Sequence, residues 1–310
     1  MLAWLNQIPP STRGGILLVT GISVFGFSDN LTLLVSDQVG VGQFHFSRSM
    51  IAIFMVMALG RIFGLGVLPK NWKPVLARTF FIVISMLLYF SVLPMMPIAE
   101  AGAGLFTSPI FVLVFSAFLF GEKIGRNRIL AVAIGSLGVL LVLKPGGDGF
   151  TLYHALPVMA GACYAVGSII TYRYCQEESP LAILMAFLIG IGFCGTLATT
   201  GLTMAPVSDA LLTEAPFLFR PWQAVSITFW GWMAVIALGA SIALSLMTRA
   251  YQLTQTSYAA IYEYAYVISA GIFGWLFWGI APGLISMIGI ALIIVAGIII
   301  VRAQQKSLPE

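Results

Sequence analysis

The sequence predicts an all-α polytopic membrane protein of ten transmembrane helices, built as two inverted five-helix repeats with both termini in the cytoplasm. Three observations carry this prediction: the apolar composition, the number and length of the apolar stretches, and the distribution of Lys and Arg between them. Of the 310 residues, 60% are hydrophobic and only 8% are charged, and the mean hydropathy is +1.01. Such a chain cannot cover a water-soluble surface of ordinary size, so lipid is its expected solvent.

The apolar stretches have the length of membrane-spanning helices. A spanning helix needs roughly 20 mainly apolar residues, whereas a barrel strand alternates polar and apolar residues over about ten. The stretches here are apolar on all sides, so helices are expected. Their centres lie near Gly26, Phe54, Leu87, Val112, Gly138, Gly161, Gly190, Ala237, Ser269 and Val295.

The basic residues fall mainly in alternate gaps between these stretches. With the N-terminus in the cytoplasm, 12 of the 15 Lys and Arg are cytoplasmic, Lys144 and Arg220 are outside, and Arg48 lies within a span, as the positive-inside rule requires. The cytoplasmic residues are Arg13, Arg61, Lys70, Lys73, Arg78, Lys123, Arg126, Arg128, Arg173, Arg249, Arg302 and Lys306. Because they are spread over many short loops and form no basic stripe, no nucleic-acid partner is expected.

An odd number of spans in each half places the two halves in opposite orientations, so the predicted repeats are inverted. Gly121 and Gly138 in the first half correspond in position to Gly279 and Gly297 in the second. Inverted repeats are typical of secondary transporters, whose substrate site lies near the membrane midplane. The predicted units are residues 1–147, residues 148–302 and a cytoplasmic tail, residues 303–310.

Short motifs over nearly the whole chain carry a family resemblance. They are Arg48, Pro97–Ala103 (PIAEAGA), Ser108-Pro109, Gly121-Glu122-Lys123, Arg128–Val132 (RILAV) with Gly135 and Gly138, Tyr164-Ala165, Arg249-Ala250-Tyr251 and Tyr262-Glu263-Tyr264. With them the chain resembles the EamA-type transporters of the drug/metabolite transporter superfamily, in the branch that contains riboflavin and S-adenosylmethionine carriers. One motif departs from the family pattern. The second half of these proteins often has another Gly-Glu pair, whereas in this chain Gly279 is followed by Ile280. The resemblance implies ten helices, a bacterial inner membrane and transport of a small metabolite.

Ionisable residues within the predicted spans are candidate site residues, since each costs about 2.5 to 3.5 kcal/mol to insert into a bilayer. They are Asp29, Arg48, Glu100 and Glu263. An alternative for Arg48 is structural, an ion pair with Asp29 or Glu100. His45 lies one helical turn before Arg48 and extends the polar patch, although a hydrogen bond near the outer interface would equally explain it. Asp29, His45 and Glu263 are candidates for binding a coupling proton.

The ninth predicted span is the richest in polar aromatic residues. Tyr258, Tyr262 and Tyr266 recur every four residues and should share one helix face, with Glu263 and Tyr264 beside it. Tyrosine rings next to a carboxylate suit a planar or cationic solute; the alternative is a packing face whose hydroxyls bond other helices. The substrate-binding candidates are Glu263, Tyr262, Tyr266, Tyr258, Tyr264, Arg48, Tyr89 and Asn30, with Ser47, Ser108 and Tyr164 as weaker ones.

Three further residues are candidates for gating, together with Asp29 and His45. Pro109 removes a helix hydrogen bond in the fourth span and so permits a kink or hinge. Glu122, next to Lys123 at a cytoplasmic helix end, is a candidate latch or a solvated turn. Glu100 lies just inside the outer end of the fourth span.

The predicted function is secondary transport of a small aromatic, zwitterionic or cationic metabolite across the bacterial inner membrane by alternating access, with proton coupling as an option. The alternatives are a channel or facilitator and an intramembrane enzyme, although no nucleophile or metal constellation is visible in the sequence. No catalytic residue, metal ligand or cofactor is therefore expected. The expected partners are the small-molecule substrate and membrane lipids, in a monomer or homodimer.

Overall fold

The computed structural model describes residues 9–105, 107–143, 152–281 and 283–305, and within these ranges all regular structure is helical. The α-helices of the first half are α1 (Pro10–Leu31), α2 (Val41–Phe63), α3 (Trp72–Phe90), α4 (Ile98–Leu105), α5 (Ser108–Phe120) and α6 (Arg126–Leu143). Those of the second half are α7 (Ala155–Tyr174), α8 (Pro180–Met204), α9 (Asp209–Glu214), α10 (Pro216–Phe219), α11 (Ile227–Leu253), α12 (Thr256–Tyr262), α13 (Ala265–Trp278) and α14 (Leu284–Gln305). The predicted all-α class is confirmed.

Many of the helices have the length and composition of membrane spans, which confirms a multi-pass membrane protein. Among the described residues, eight segments are long and apolar enough to cross a membrane, and Leu284–Ile299 is a shorter apolar helix. The eight are Pro10–Leu34, Val41–Ile62, Trp72–Met95, Ile98–Phe120, Leu152–Tyr174, Pro180–Met204, Ile227–Leu253 and Tyr258–Trp278. A helix covers each of the ten predicted centres, and α6 and α14 supply the fifth and the tenth.

Two of these spans are interrupted. The first interruption separates α4 from α5, and Pro109 stands at the second position of α5, where its missing N–H and its ring prevent a continuous helix. The second separates α12 from α13 without any proline. There the amides of Glu263 and Tyr264 bond the carbonyls of Ala260 and Ile261, three residues back, which tightens the chain relative to an α-helix.

The helices pack mainly across the two halves of the chain. Helix α1 packs on α11 and α13, α3 packs on α7, α2 on α8, and α6 on α14. The two interrupted spans meet where α4 contacts α13 and α5 contacts α12. The polar side chains at both interruptions therefore lie in the interior of the bundle.

Glycine allows the closest of these contacts. A Cβ atom on Gly138 of α6 would lie 2.5 Å from the carbonyl oxygen of Gly289 in α14, and a Cβ on Gly289 would meet that of Gly138 at the same distance. Gly121 and Gly279 end α5 and α13 with φ of 61° and 68°, a left-handed conformation that glycine adopts without strain. Gly138 therefore packs on Gly289, whereas a Cβ added to Gly297 meets no atom within 4 Å.

Candidate functional site

Asp29 is the centre of the first buried polar cluster. Its side chain is almost fully buried at the end of α1, and the hydroxyls of Tyr89 and Tyr266 each donate to Oδ2 at 2.7 Å. The two hydroxyl oxygens also lie within hydrogen-bonding distance of each other, and because each hydroxyl has one hydrogen, either one donates to the other only while it does not donate to Oδ2. Gly102 lies against the ring of Tyr266, where a Cβ would overlap it. The cluster therefore joins α1, α3 and α13 through a single carboxylate.

Glu263 is the centre of the second cluster and lies at the interruption between α12 and α13. Its residue exposure is 0%. Ser108 Oγ, at the start of α5, donates to Oε2 at 2.9 Å, and the hydroxyl of Tyr251 in α11 donates to Oε1. The hydroxyl of Tyr164 in α7 is a third partner. Four helical segments therefore converge on one buried carboxylate.

Neither carboxylate forms a direct ion pair with a cation in the described part of the chain. Among the described residues, no Lys, Arg or His nitrogen lies within 4.0 Å of Asp29 or Glu263. An ionised carboxylate in an apolar interior is costly unless charge or hydrogen bonding compensates it. Hydroxyl donors supply this compensation in both clusters, so each acid can change its charge or exchange a hydroxyl for a ligand without breaking an ion pair.

The prediction that Tyr258, Tyr262 and Tyr266 share one face of the ninth span is wrong, because the span is interrupted at Glu263. Tyr258 lies under the guanidinium of Arg128, with 3.9 Å from Cζ to the ring centroid. Tyr262 is half-buried and lines a lateral groove with Tyr264, whose hydroxyl is 3.3 Å from Ser136 Oγ. Tyr266 hydrogen-bonds the buried carboxylate of Asp29. The four tyrosines thus have separate environments.

Arg48 does not form the expected ion pair. No oxygen of Asp29 or Glu100 lies within 4.0 Å of its guanidinium, although it is only 2% exposed. Its Nη2 is 3.2 Å from Nδ1 of His45, and its Cζ is 4.7 Å from the ring centroid of Phe90. Nε of Arg48 and Nε2 of His45 are buried without a hydrogen-bond partner. Aromatic rings and one imidazole, and not a carboxylate, surround this cation.

Arg78, which the distribution of basic residues predicts on the cytoplasmic side, is buried in the structure. It lies inside α3 and is 7% exposed, and its Nε donates to Thr171 Oγ1 at 3.4 Å. With Tyr164 and Tyr251 it lines a small central cavity of about 20 Å³. Arg78 lies six residues after Trp72, the first residue of α3, which corresponds to about 9 Å along the helix axis. This depth within the helix is the sequence feature that could have indicated its burial.

Asn30 and Glu100 lie toward the predicted outer end of the bundle. The amide Nδ2 of Asn30 donates to the carbonyls of Gly26 and Ala270, at 2.8 and 3.2 Å, and its Oδ1 is buried and unpaired. Asn30 lines a cavity of about 320 Å³. Glu100 lines a neighbouring cavity of about 220 Å³ and lies 3.9 Å, Oε2 to Nε2, from His154. These two residues are separate from both carboxylate clusters.

The predicted outer end is closed by the segment between α8 and α11. Arg220 donates through Nη1 to the carbonyl of Asp37 at 2.5 Å. The side chain of Gln43 makes two hydrogen bonds of 2.8 Å with the main chain of Gln223, because Nε2 donates to its carbonyl and Oε1 accepts from its amide. Phe217 packs on Phe44 with 6.0 Å between ring centroids, and so covers the ring that lies beside Arg48.

The predicted cytoplasmic end is closed by two networks. In the first, Glu122 lies 3.5 Å from Arg128 and 3.8 Å from Arg173 and accepts from Gln255. Its partners are therefore these residues and not Lys123, and they join the ends of α5, α6, α7 and α12. Pro109, another gating candidate, stands at the interruption of the fourth span near the start of α5, whereas Glu122 follows the end of that helix.

The second network is centred on Glu178, between α7 and α8. Its carboxylate accepts the main-chain amides of Lys70 and Asn71 at 2.9 and 2.7 Å. Gln252 Nε2 donates to the carbonyls of Cys175 and Glu178, both at 2.7 Å. The network connects the end of α11 with two loops, and no sequence motif indicated it.

Comparison with known proteins identifies transporters as relatives. Residues 12–144 match the EamA-like transporter family. A riboflavin transporter of Brucella anthropi is 26% identical over 211 residues, which cover 68% of this chain and 70% of that protein. A pseudopaline exporter of Pseudomonas aeruginosa is 22% identical over 295 residues, covering 94% and 98%. An S-adenosylmethionine uptake transporter of Rickettsia bellii is 23% identical over 285 residues, covering 90% and 88%.

The fold is also shared with a solved structure. One crystal structure aligns with 94% of this chain and 98% of its own length, with a TM-score of 0.71 and 17% sequence identity. At this identity the likeness concerns the fold alone. The helical arrangement described above is therefore one that another protein also adopts.

Proposed function

We propose that this chain is an EamA-type transporter of the drug/metabolite transporter superfamily, which its family match and its relatives support, and that it moves a small organic metabolite across the bacterial inner membrane by alternating access. The resemblance seen in its motifs is confirmed, and the chain is a transporter and not an enzyme. The remaining proposals concern the repeat, the site and the coupling.

The observation that carries the proposal is the position of Glu263. This carboxylate lies where the two interrupted spans meet, and within the described ranges its side-chain partners are all hydroxyl groups. Interrupted helices at the interface of two repeats are where transporters of several folds bind substrate and ions. We assign Glu263 to the substrate site, together with Tyr251, Tyr164 and Ser108.

The helix packing supports two inverted five-helix repeats, residues 1–147 and 148–302. Exchanging each span for its counterpart five spans later turns the pair α1–α11 into α7–α3, and turns α1–α13 into α7–α4; both members of each exchange are in contact. The pairs α2–α8 and α6–α14 transform into themselves. Each repeat also has its interruption in the fourth span. The distribution of basic residues favours cytoplasmic termini.

The two buried acids suit a coupled transporter. A carboxylate bonded only by hydroxyls can bind a proton, or a cationic group of a solute, and release it when the bundle opens. We assign Glu263 to both substrate and proton, and Asp29 to proton coupling and to the contact between α3 and α13. The closure at each end of the bundle is what alternating access requires, since each network can open in turn.

The proposed substrate is aromatic, zwitterionic or cationic. Tyrosine rings beside a carboxylate favour such solutes. The named relatives handle riboflavin, S-adenosylmethionine and pseudopaline, which is the range of chemistry to test first. The sequence identities of 22 to 26% do not select one of them.

The proposal is tested by reconstituting the purified protein into liposomes and measuring uptake of these three compounds with and without a pH gradient. We expect saturable uptake of at least one compound, and its loss in Glu263→Gln. Glu177→Gln, the same change at an exposed acid in the loop after α7, is the matched control and should transport normally. Equal rates in Glu263→Gln and wild type would remove Glu263 from the site.

The same experiment separates a transporter from a channel. A channel would give flux that rises linearly with concentration and survives neutralisation of Glu263. A pH gradient that changes the uptake rate in wild type would support proton coupling, and an unchanged rate would contradict it.

A further inference from the structure

The central cavity contains a cationic side chain without an acidic partner. Arg78 lines this cavity, and among the described residues no Asp or Glu oxygen lies within 4.0 Å of its guanidinium. One hydrogen bond, from Nε to Thr171 at 3.4 Å, leaves the other N–H groups of the guanidinium for a ligand. A buried arginine without a counter-charge is costly unless something supplies that charge.

The lining of the cavity suits a polar ligand with two different ends. Tyr164 and Tyr251, whose hydroxyls also bond Glu263, line the cavity together with Arg78 and Thr171. Phe25 lines it as well, with Ile82 and Met86. The same two tyrosines thus bond a carboxylate and line a cavity with a positive group.

We propose that Arg78 binds the oxyanion of the transported solute, a carboxylate or a phosphate. The planar guanidinium presents paired N–H donors that match two oxygens of such a group, which a lysine ammonium does not. The proposal rests on the proposed function and extends it, because it assigns the solute an anionic end at Arg78 and a cationic or hydroxyl-bearing end toward Glu263.

The size of the cavity fits this role in a closed conformation. The cavity of about 20 Å³ can hold a water molecule but not a metabolite. The solute can therefore enter only when the contacts that close the predicted cytoplasmic or outer end of the bundle open. Arg78 lies on the cytoplasmic side of this cavity by the predicted topology. It is therefore the first buried cation that a solute meets from the cytoplasm, or the last one before release.

The test compares pairs of compounds that differ only in an anionic group. The pairs are S-adenosylmethionine with its decarboxylated form, and riboflavin 5′-phosphate with riboflavin, and the readout is the melting temperature of the purified protein. We expect the anionic member of at least one pair to stabilise the wild type more than its partner. The pair that responds distinguishes a carboxylate from a phosphate.

Variants at Arg78 then locate the effect. In Arg78→Gln the anionic compound should bind at least about tenfold more weakly, because the substitution removes the charge and the paired donors that would hold the oxyanion, while the partner compound binds as before. Arg78→Lys should restore part of the preference, because the charge returns without the planar pair of donors. Arg61→Gln, at an exposed arginine near the end of α2, should bind like the wild type.

The proposal is overturned if no anionic compound stabilises the wild type more than its partner, or if the preference persists in Arg78→Gln. Such a result would leave the proposed transport function intact, because uptake that depends on Glu263 is measured independently in liposomes. If uptake did not depend on Glu263 while the preference for anionic compounds still depended on Arg78, only the assignment of Glu263 would be contradicted.

Discussion

Ser108 Oγ donates to Oε2 of Glu263 at 2.9 Å, and this bond joins the two interrupted spans of the molecule. Ser108 is the first residue of α5, and Glu263 follows the last residue of α12. The residues are 155 positions apart and lie in different halves of the chain. A motion of one half against the other would therefore change this contact directly.

Substituting Ser108 should weaken the contact between the halves. Ser108→Ala removes one of the hydroxyl donors of a buried carboxylate, so we expect a loss of about 1 to 3 kcal/mol in unfolding free energy and a changed transport rate. Denaturant unfolding of the purified protein and liposome uptake measure the two effects. Ser23→Ala, which removes a hydroxyl that bonds only its own helix, should change neither by much.

The two tyrosines on Asp29 should be energetically coupled. Tyr89→Phe or Tyr266→Phe alone leaves one donor on Oδ2 of Asp29, so each should cost about 1 kcal/mol. The double variant leaves neither of these donors, and its cost should exceed the sum by about 1 kcal/mol. A double-mutant cycle of unfolding free energies measures this coupling. Strictly additive costs would mean that the hydroxyls do not share the carboxylate.

Much of the fold follows from local sequence. Runs of about 20 apolar residues predict the spans, and Pro109 predicts an interruption where α5 begins. The acids Asp29 and Glu263 stand out because ionisable groups are rare in apolar helices. These features depend on residues close together in the chain, so sequence reasoning could identify them.

Other features depend on contacts between distant segments. The interruption at Glu263 has no proline or glycine, and its partners include Ser108, so the four-residue spacing of the tyrosines gave the wrong face. The partners of Glu122 come from α6, α7 and the segment before α12, and not from the adjacent Lys123. Arg78 lies in the interior because α3 packs on α7, which a count of basic residues at helix ends cannot indicate.

The buried thiol of Cys175 should report on opening of the predicted cytoplasmic end. Burial raises the pKa of Cys175 to about 11, so little reactive thiolate forms in the closed state. Gln252→Ala removes two hydrogen bonds of 2.7 Å that hold this segment. We expect maleimide to label Cys175 about tenfold faster in this variant, since each 1.4 kcal/mol of lost local stability changes the open population tenfold.

This labelling experiment needs a background with a single thiol. Cys163→Ser and Cys194→Ser remove the other cysteines, both partly exposed. Gln38→Ala, at the opposite end of the bundle, is the matched control and should leave the labelling rate unchanged. Equal labelling of wild type and Gln252→Ala would show that the Glu178 network does not close this end.

The contact between α6 and α14 should depend on Gly138 and tolerate change at Gly297. An alanine Cβ at position 138 would lie 2.5 Å from the carbonyl oxygen of Gly289, closer than non-bonded atoms approach, so the helices must separate. We expect Gly138→Ala to cost about 1 to 3 kcal/mol in unfolding free energy. Gly297→Ala, which meets no atom within 4 Å, should be neutral or stabilising by up to about 1 kcal/mol, because alanine favours helix.

Both glycines of the contact can be tested together by denaturant unfolding. Gly289→Ala should cost as much as Gly138→Ala, since its Cβ meets the carbonyl oxygen of Gly138 at the same 2.5 Å. The double variant should cost less than the sum of the two, because one separation of the helices relieves both overlaps. Additive costs, or a stable Gly138→Ala, would mean that α6 and α14 do not pack at this point.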